Sequence, residues 1–176
     1  MSALSRWAFG HVEFPEGEEF REFQYKFLVV VLLFGSITTG LFLGLVAAGI
    51  SPPFSATHMR SMRIYTAIGT VLWLALRGRK HWFLPVAWLY YVASLCELFS
   101  SAIFVANDEL RIIWLFSNIP ATYLLLGRVV GGVTTALIMV GFVGINPYVA
   151  APYSANAIAT GVIAMVYFGV FFHAYA

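Results

Sequence analysis

The sequence has few charged residues and a single cysteine, and each shortage excludes a class of protein. Only 10% of the 176 residues are charged, whereas 61% are hydrophobic, a balance far from that of a water-soluble domain. The formal net charge of +2 is too small and too dispersed for nucleic-acid binding. One cysteine, Cys96, excludes an internal disulfide. We therefore predict an integral protein of the lipid bilayer.

Catalytic signatures are also missing. The sequence contains no Walker loop, HExxH, GxSxG or CxxC motif and no cluster of acidic residues typical of a cation pump. We expect no enzymatic activity within this chain and no bound cofactor. The first 25 residues lack the apolar core of a cleavable signal peptide, so the first span is expected to direct insertion.

Apolar runs between charged or proline-containing breaks predict an all-α, polytopic membrane protein with a bundle of six transmembrane helices. Roughly 20 apolar residues are needed to cross the hydrocarbon, and a shorter run can span if flanking basic side chains snorkel. The short connections imply antiparallel neighbours. A segment of residues 1–25 precedes a membrane domain of residues 26–176. The predicted spans are residues 27–49, 62–76, 82–105, 112–126, 129–145 and 156–175.

The segment HVEFPEGEEFREFQYKF is predicted to form an amphipathic interfacial helix that begins near Glu16 and continues into the first span. Glutamates after Pro15 favour a helix N-terminus, and Glu22 and Lys26 form an i, i+4 ion pair. Two interpretations of this helix remain open: an anchor in the headgroup region, or a surface for a cytoplasmic domain. Its aromatic face comprises Phe14, Phe20, Phe23 and Phe27.

The distribution of basic residues predicts that both termini are cytoplasmic. Seven basic residues then lie inside and three outside, which is the bias expected of cytoplasmic loops. The last span reaches Ala176 without a polar tail, so we expect the natural chain to continue. The predicted inside residues are Arg6, Arg21, Lys26, Arg77, Arg79, Lys80 and Arg128, and the outside ones are Arg60, Arg63 and Arg111.

Glu97 is the candidate functional residue, because it lies within the third predicted span. A carboxylate at that depth is costly in lipid, so it should face other helices, be protonated or be paired. Its helical face is polar and includes Tyr90, Ser94 and Ser101. We predict that this face points inward.

Three partners could approach Glu97: Arg63, His58 and Asn118. Asn118 lies two positions before Pro120, which is expected to kink the fourth span. Three roles remain open for Glu97: helix–helix contact, a ligand or cation site, and a proton relay. For a ligand site, the predicted residues are Glu97, Asn118, Arg63, Ser94, Ser101 and Tyr90.

The stretch THMRSMR is a weak candidate for a metal site. Its imidazole and two thioethers, from His58, Met59 and Met62, are ligands that suit a soft ion such as Cu(I). A surface histidine beside two interfacial methionines explains the same pattern, so we predict no metal.

Several strings resemble the multi-span N-terminal sensory regions of bacterial diguanylate cyclases that carry a C-terminal GGDEF domain. They are FPEGEEFREFQYKFL, LRGR, FLPVAWLY, DELRIIW, LLGR and SANAIAT, which together extend over most of the chain. The resemblance implies an input module of the bacterial inner membrane whose output domain follows Ala176. Similar regions also precede some sensor histidine kinases, including receptors for fatty-acid-type signals. No functional residue is carried over from the resemblance.

Two hypotheses of different classes follow from the sequence. In the first, the chain is a homodimeric sensory domain that detects a small apolar or amphiphilic ligand and controls cyclic di-GMP synthesis. In the second, it is a small transporter or channel subunit, which inverted repeats or a second buried charge would favour.

Overall fold

The computed structural model of the chain describes residues 3–105, 111–149 and 151–175. These residues form helices and no strands. In the predicted topology, Asp108 follows the third span on the external side and Ala176 is cytoplasmic, and both residues lie outside the described ranges. The helices are α1 (Ala3–Phe9), α2 (Glu19–Ala47), α3 (Ala56–Leu76), α4 (Phe83–Phe104), α5 (Ile112–Ile145) and α6 (Ala155–Tyr175), and single 3-10 turns precede α4 and follow α5.

Four helical segments in the described residues are long and apolar enough to cross a membrane. They are Glu19–Ala47, Lys80–Phe104, Ile112–Tyr148 and Ala155–Tyr175, which bears out the all-helical membrane class. α3 is not among them, because it is less hydrophobic and carries Arg60 and Arg63. Its 21 residues give a length of about 30 Å at the usual rise of a helix.

The long helix α5 reverses direction at Gly127. This residue has φ 85° and ψ −178°, a conformation that is essentially restricted to glycine. The ring of Tyr123 lies directly over Gly131, although these residues would be about 12 Å apart along a straight helix. Pro120, the predicted kink, stays within the helical run, and Gly127 is the one interruption inside α5.

α6 packs against both halves of α5. A Cβ placed on Gly161 would lie 2.9 Å from the Ile112 side chain and 3.1 Å from the Phe142 ring. Ile112 and Phe142, near opposite ends of α5, therefore lie beside the same point of α6. The halves before and after Gly127 form an antiparallel hairpin, and the core between them and their neighbours contains Ala102, Leu115, Ile119, Tyr123, Ile138, Phe142 and Met165.

The contacts divide the chain into two compact units. The N-terminal unit comprises residues 1–53 and 59–93, and the C-terminal unit comprises residues 54–58 and 94–176. α3 and α4 therefore each contribute residues to both units. The sites described below are each contained within one unit.

In the N-terminal unit, Tyr25 ties the start of the chain to the end of α3. The Tyr25 side chain is buried, its hydroxyl accepts the Gly78 N–H, and it lies 3.0 Å from the Leu76 carbonyl and 3.1 Å from the Phe9 carbonyl. Gly10 packs against Gly78 so closely that a Cβ would lie 2.7 Å from the Gly78 nitrogen. A side chain at position 10 would separate these segments.

The N-terminal segment differs from the predicted interfacial helix. α2 begins at Glu19 rather than near Glu16, because Gly17 has a φ of 92° that a helix cannot contain. Phe14 consequently lies before the helix, where its ring packs 5.7 Å from that of Tyr25. The predicted Glu22–Lys26 ion pair is confirmed.

Candidate functional site

The C-terminal half of α4 carries a polar face inside the C-terminal unit. The Ser94 side chain is buried, and the Glu97 side chain is only 13% exposed. Ser100 and Ser101, which lie about one turn further along, are half-buried. The residues recur at intervals of three and four, so they share one side of the helix.

His58, in the first turn of α3, approaches this face. Its Nδ1 atom lies 3.1 Å from the Ser100 hydroxyl and 3.8 Å from a carboxylate oxygen of Glu97. The His58 backbone N–H donates to the Ser55 hydroxyl, and the Phe54 ring packs against the imidazole. The sequence predicted a surface histidine ahead of the second span, whereas His58 is a buried residue of α3, which begins at Ala56.

Burial governs the charge of His58. The residue is 4% exposed, and this desolvation lowers the pKa of the imidazole below its ordinary value of 6.5. Glu97 favours the protonated form, but at 3.8 Å its effect is smaller than that of burial. His58 is therefore neutral at pH 7, with one ring nitrogen able to donate a hydrogen bond and the other able to accept one.

Asn118, on the first half of α5, extends the polar cluster. Ser94 donates a 3.3 Å hydrogen bond to Asn118 Oδ1, and Thr122 donates to the Asn118 backbone carbonyl. Asn118 is 2% exposed, and its Nδ2 has no hydrogen-bond partner among the residues that the structure describes. Buried amide donors are rarely left in this state. A donor is thus available for an additional oxygen or nitrogen atom.

Two residues predicted for the ligand site lie in the N-terminal unit instead. Arg63 is exposed on α3. Tyr90 forms a hydrogen bond with Tyr65 in that unit. The C-terminal unit brings together Glu97, His58, Ser94, Ser100, Ser101 and Asn118, which we call the α4 polar cluster.

Met59 and Met62, which the sequence predicted to be interfacial, are buried residues of α3. They belong to the N-terminal unit, whereas His58 belongs to the C-terminal unit. Among the described residues, no group of three His, Cys, Asp or Glu side chains could hold a metal ion.

Arg111 is a buried polar residue that sequence reasoning missed. It was counted as an external charge, yet it is 4% exposed. Each of its three side-chain nitrogens donates a hydrogen bond: Nε to the Tyr153 hydroxyl at 2.7 Å, and the other two to the carbonyls of Val105 and Ala151 at 2.6 Å. The guanidinium also lies 4.4 Å from the centre of the Tyr153 ring. Arg111 thus connects the end of α4 to the segment before α6.

The α4 polar cluster can recognise a small molecule by hydrogen bonding. Glu97 offers carboxylate oxygens, His58 offers a neutral imidazole, and Asn118 offers its Nδ2 donor. This set suits a molecule with both acceptor and donor groups. No family model matches the chain, and no curated protein or solved structure matches it either.

Proposed function

We propose that the chain is a membrane sensory domain that binds a small amphiphilic ligand at the α4 polar cluster. The single observation that carries this proposal is Asn118, a buried amide whose Nδ2 is unpartnered among the described residues. Such a donor costs about 1–3 kcal/mol when unpaired, and a ligand acceptor removes that cost. Binding energy at this point can therefore favour one arrangement of the helices over another.

The proposed topology has six spans and two cytoplasmic termini. The reversal of α5 at Gly127 supports it by dividing the long apolar segment Ile112–Tyr148 into two antiparallel halves. α3 supplies the remaining segment if the aliphatic stems of Arg60 and Arg63 carry their charges to the headgroup region. In this topology, residues 1–25 are an interfacial segment on the cytoplasmic side.

The proposed output is a cytoplasmic diguanylate cyclase of the GGDEF type in a bacterial inner membrane. Support comes from the resemblance of strings such as FPEGEEFREFQYKFL and DELRIIW to the sensory regions of such proteins. α6 is then the covalent connection to the output, and a homodimer brings two output domains together.

The experiment joins a GGDEF domain after Ala176 and measures cyclic di-GMP in bacterial cells at matched protein levels. Glu97→Gln keeps the shape of the side chain and removes its charge, so we expect output to change at least threefold. Glu22→Gln makes the same chemical change in an exposed ion pair and is the matched control.

A purely structural Glu97 gives a different pattern. In that case, Glu97→Gln resembles wild type, whereas Glu97→Leu destabilises the protein by about 1 kcal/mol, as is typical of lost contacts between membrane helices. Equal output from Glu97→Gln, Glu22→Gln and the unmodified fusion would overturn the proposed site.

A further inference from the structure

A groove of about 460 Å³ lies between the second half of α5 and α6. Its walls contain small residues, among them Gly132, Ala136 and Gly169. Val166 and Val170 also line it and are 45% and 66% exposed, so its opening is apolar. The volume falls within the range of small-molecule sites. The groove shares no residue with the α4 polar cluster.

Two polar groups line the groove and have no hydrogen bond to a described residue. Tyr123 is 3% exposed, and no partner is found for its hydroxyl in the described part of the chain. The His173 imidazole is exposed and likewise has no hydrogen bond to a described residue, and its ring lies edge-on to that of Tyr123 at 6.1 Å. The Thr135 hydroxyl, by contrast, already donates to the Gly131 carbonyl. Tyr123 and His173 therefore offer two adjacent hydrogen-bonding groups beside an apolar surface.

The composition of the lining restricts the ligand. Its described residues include no lysine, arginine, aspartate or glutamate, so a carboxylate or phosphate head would find no fixed countercharge among them. A neutral head with acceptor oxygens matches the two groups without that cost. A Cβ built on Gly132 would meet only the Tyr123 hydroxyl, at 3.8 Å, so this part of the wall leaves room for a flat ring beside that hydroxyl.

We propose that this groove binds the ring of a membrane-soluble quinone, with Tyr123 and His173 donating hydrogen bonds to its carbonyl oxygens and its hydrocarbon tail leaving past Val170. A quinone is neutral, flat, rich in acceptors and dissolved in the hydrocarbon that an apolar opening faces. This site is separate from the proposed ligand site at Glu97, and its test does not depend on that proposal.

The experiment titrates decylubiquinone into the purified chain in nanodiscs and follows the increase in the unfolding temperature. Tyr123→Phe removes one hydroxyl while keeping the ring over Gly131, and His173→Leu removes the imidazole. We expect each variant to bind decylubiquinone at least fivefold more weakly than the unmodified chain. Tyr167→Phe changes an exposed tyrosine of α6 outside the groove and should bind normally.

Four results would overturn the proposal. The first is the absence of saturable stabilisation by decylubiquinone, and the second is equal binding of decylubiquinone by the variants and the control. The third is binding of palmitate that equals or exceeds that of decylubiquinone. The fourth is that groove residues of two chains crosslink to each other and decylubiquinone does not prevent it. The third result would indicate a general acyl-chain site and the fourth a surface for a second copy. If a variant fails to fold, photolabelling of the unmodified chain with an azidoquinone decides instead, since the proposal requires labels on residues 123–139 or 166–174.

Discussion

Two buried polar assemblies of the C-terminal unit satisfy their hydrogen bonds to different extents. All three side-chain nitrogens of Arg111 donate to oxygen atoms. Asn118 uses its side-chain oxygen, but its Nδ2 lacks a partner within the described ranges. A polar network that holds a fold is stable when every member is satisfied, because an unpaired buried group is costly. We interpret the Arg111 assembly as structural and the α4 polar cluster as a place for a ligand.

The largest expected effect is that of Arg111→Leu. The change removes three hydrogen bonds that a charged side chain donates, and the carbonyls of Val105 and Ala151 lose the Arg111 donor. We expect the free energy of unfolding to fall by about 3 kcal/mol, measured by reversible unfolding in mixed detergent micelles. Arg60→Leu, at an exposed position of α3, is the control. If Arg111→Leu and Arg60→Leu had the same free energy of unfolding, the buried hydrogen bonds of Arg111 would not stabilise the fold.

Asn118→Leu should have a much smaller effect on stability. Within the described ranges the amide forms one side-chain hydrogen bond, to Ser94, and such bonds between membrane helices average about 0.6 kcal/mol. The same change also removes the unpartnered donor. We expect a loss below about 1 kcal/mol, together with altered output of the GGDEF fusion.

Ser94→Ala sharpens this test because it removes the same hydrogen bond from the other side. The two substitutions together should cost less than the sum of each alone in a double-mutant cycle. A loss for Asn118→Leu as large as that for Arg111→Leu would mean that the Asn118 amide is fully satisfied in the folded protein.

The smallest expected effect is a pH dependence of stability due to His58. Burial lowers its pKa in the folded state, so the unfolded chain binds the proton more readily. Stability contributed by the neutral imidazole is complete above the unfolded pKa of 6.5 and declines as pH falls below it.

Unfolding curves between pH 7.5 and 5 measure this dependence. His58→Gln should flatten the decline, whereas His81→Gln, at an exposed position, should leave it unchanged. A decline that survives His58→Gln unaltered would show that other groups cause it.

The sequence predicts the helical segments well where glycine or charged residues separate the apolar runs. The two halves of α5 coincide with predicted spans because Gly127 and Arg128 separate two apolar runs. The start of α3 was missed, since Arg60 and Arg63 made the run look shorter than the helix that begins at Ala56. Phe14 was assigned to a helical face because its spacing fits, although Gly17 breaks the helix after it.

The polar contacts could be predicted only in part. Hydropathy identifies Glu97 as costly in lipid, and His58 was a candidate partner, but nothing local to either residue places the imidazole against Ser100, 42 positions away. Arg111 was counted as a solvated charge, whereas tertiary contacts bury it. Spacing along a helix therefore predicts which residues share a face, but not which distant residue comes to meet them.

The reversal at Gly127 has a consequence for the order of folding. It brings Tyr123 and Gly131 together across a very short stretch of chain, so closing this hairpin requires little loss of chain entropy. The contact of His58 with Ser100 spans 42 positions and forms more slowly for the same reason. The hairpin can therefore be complete before His58 reaches α4, so that Asn118 already has its place on α5 when the α4 polar cluster closes.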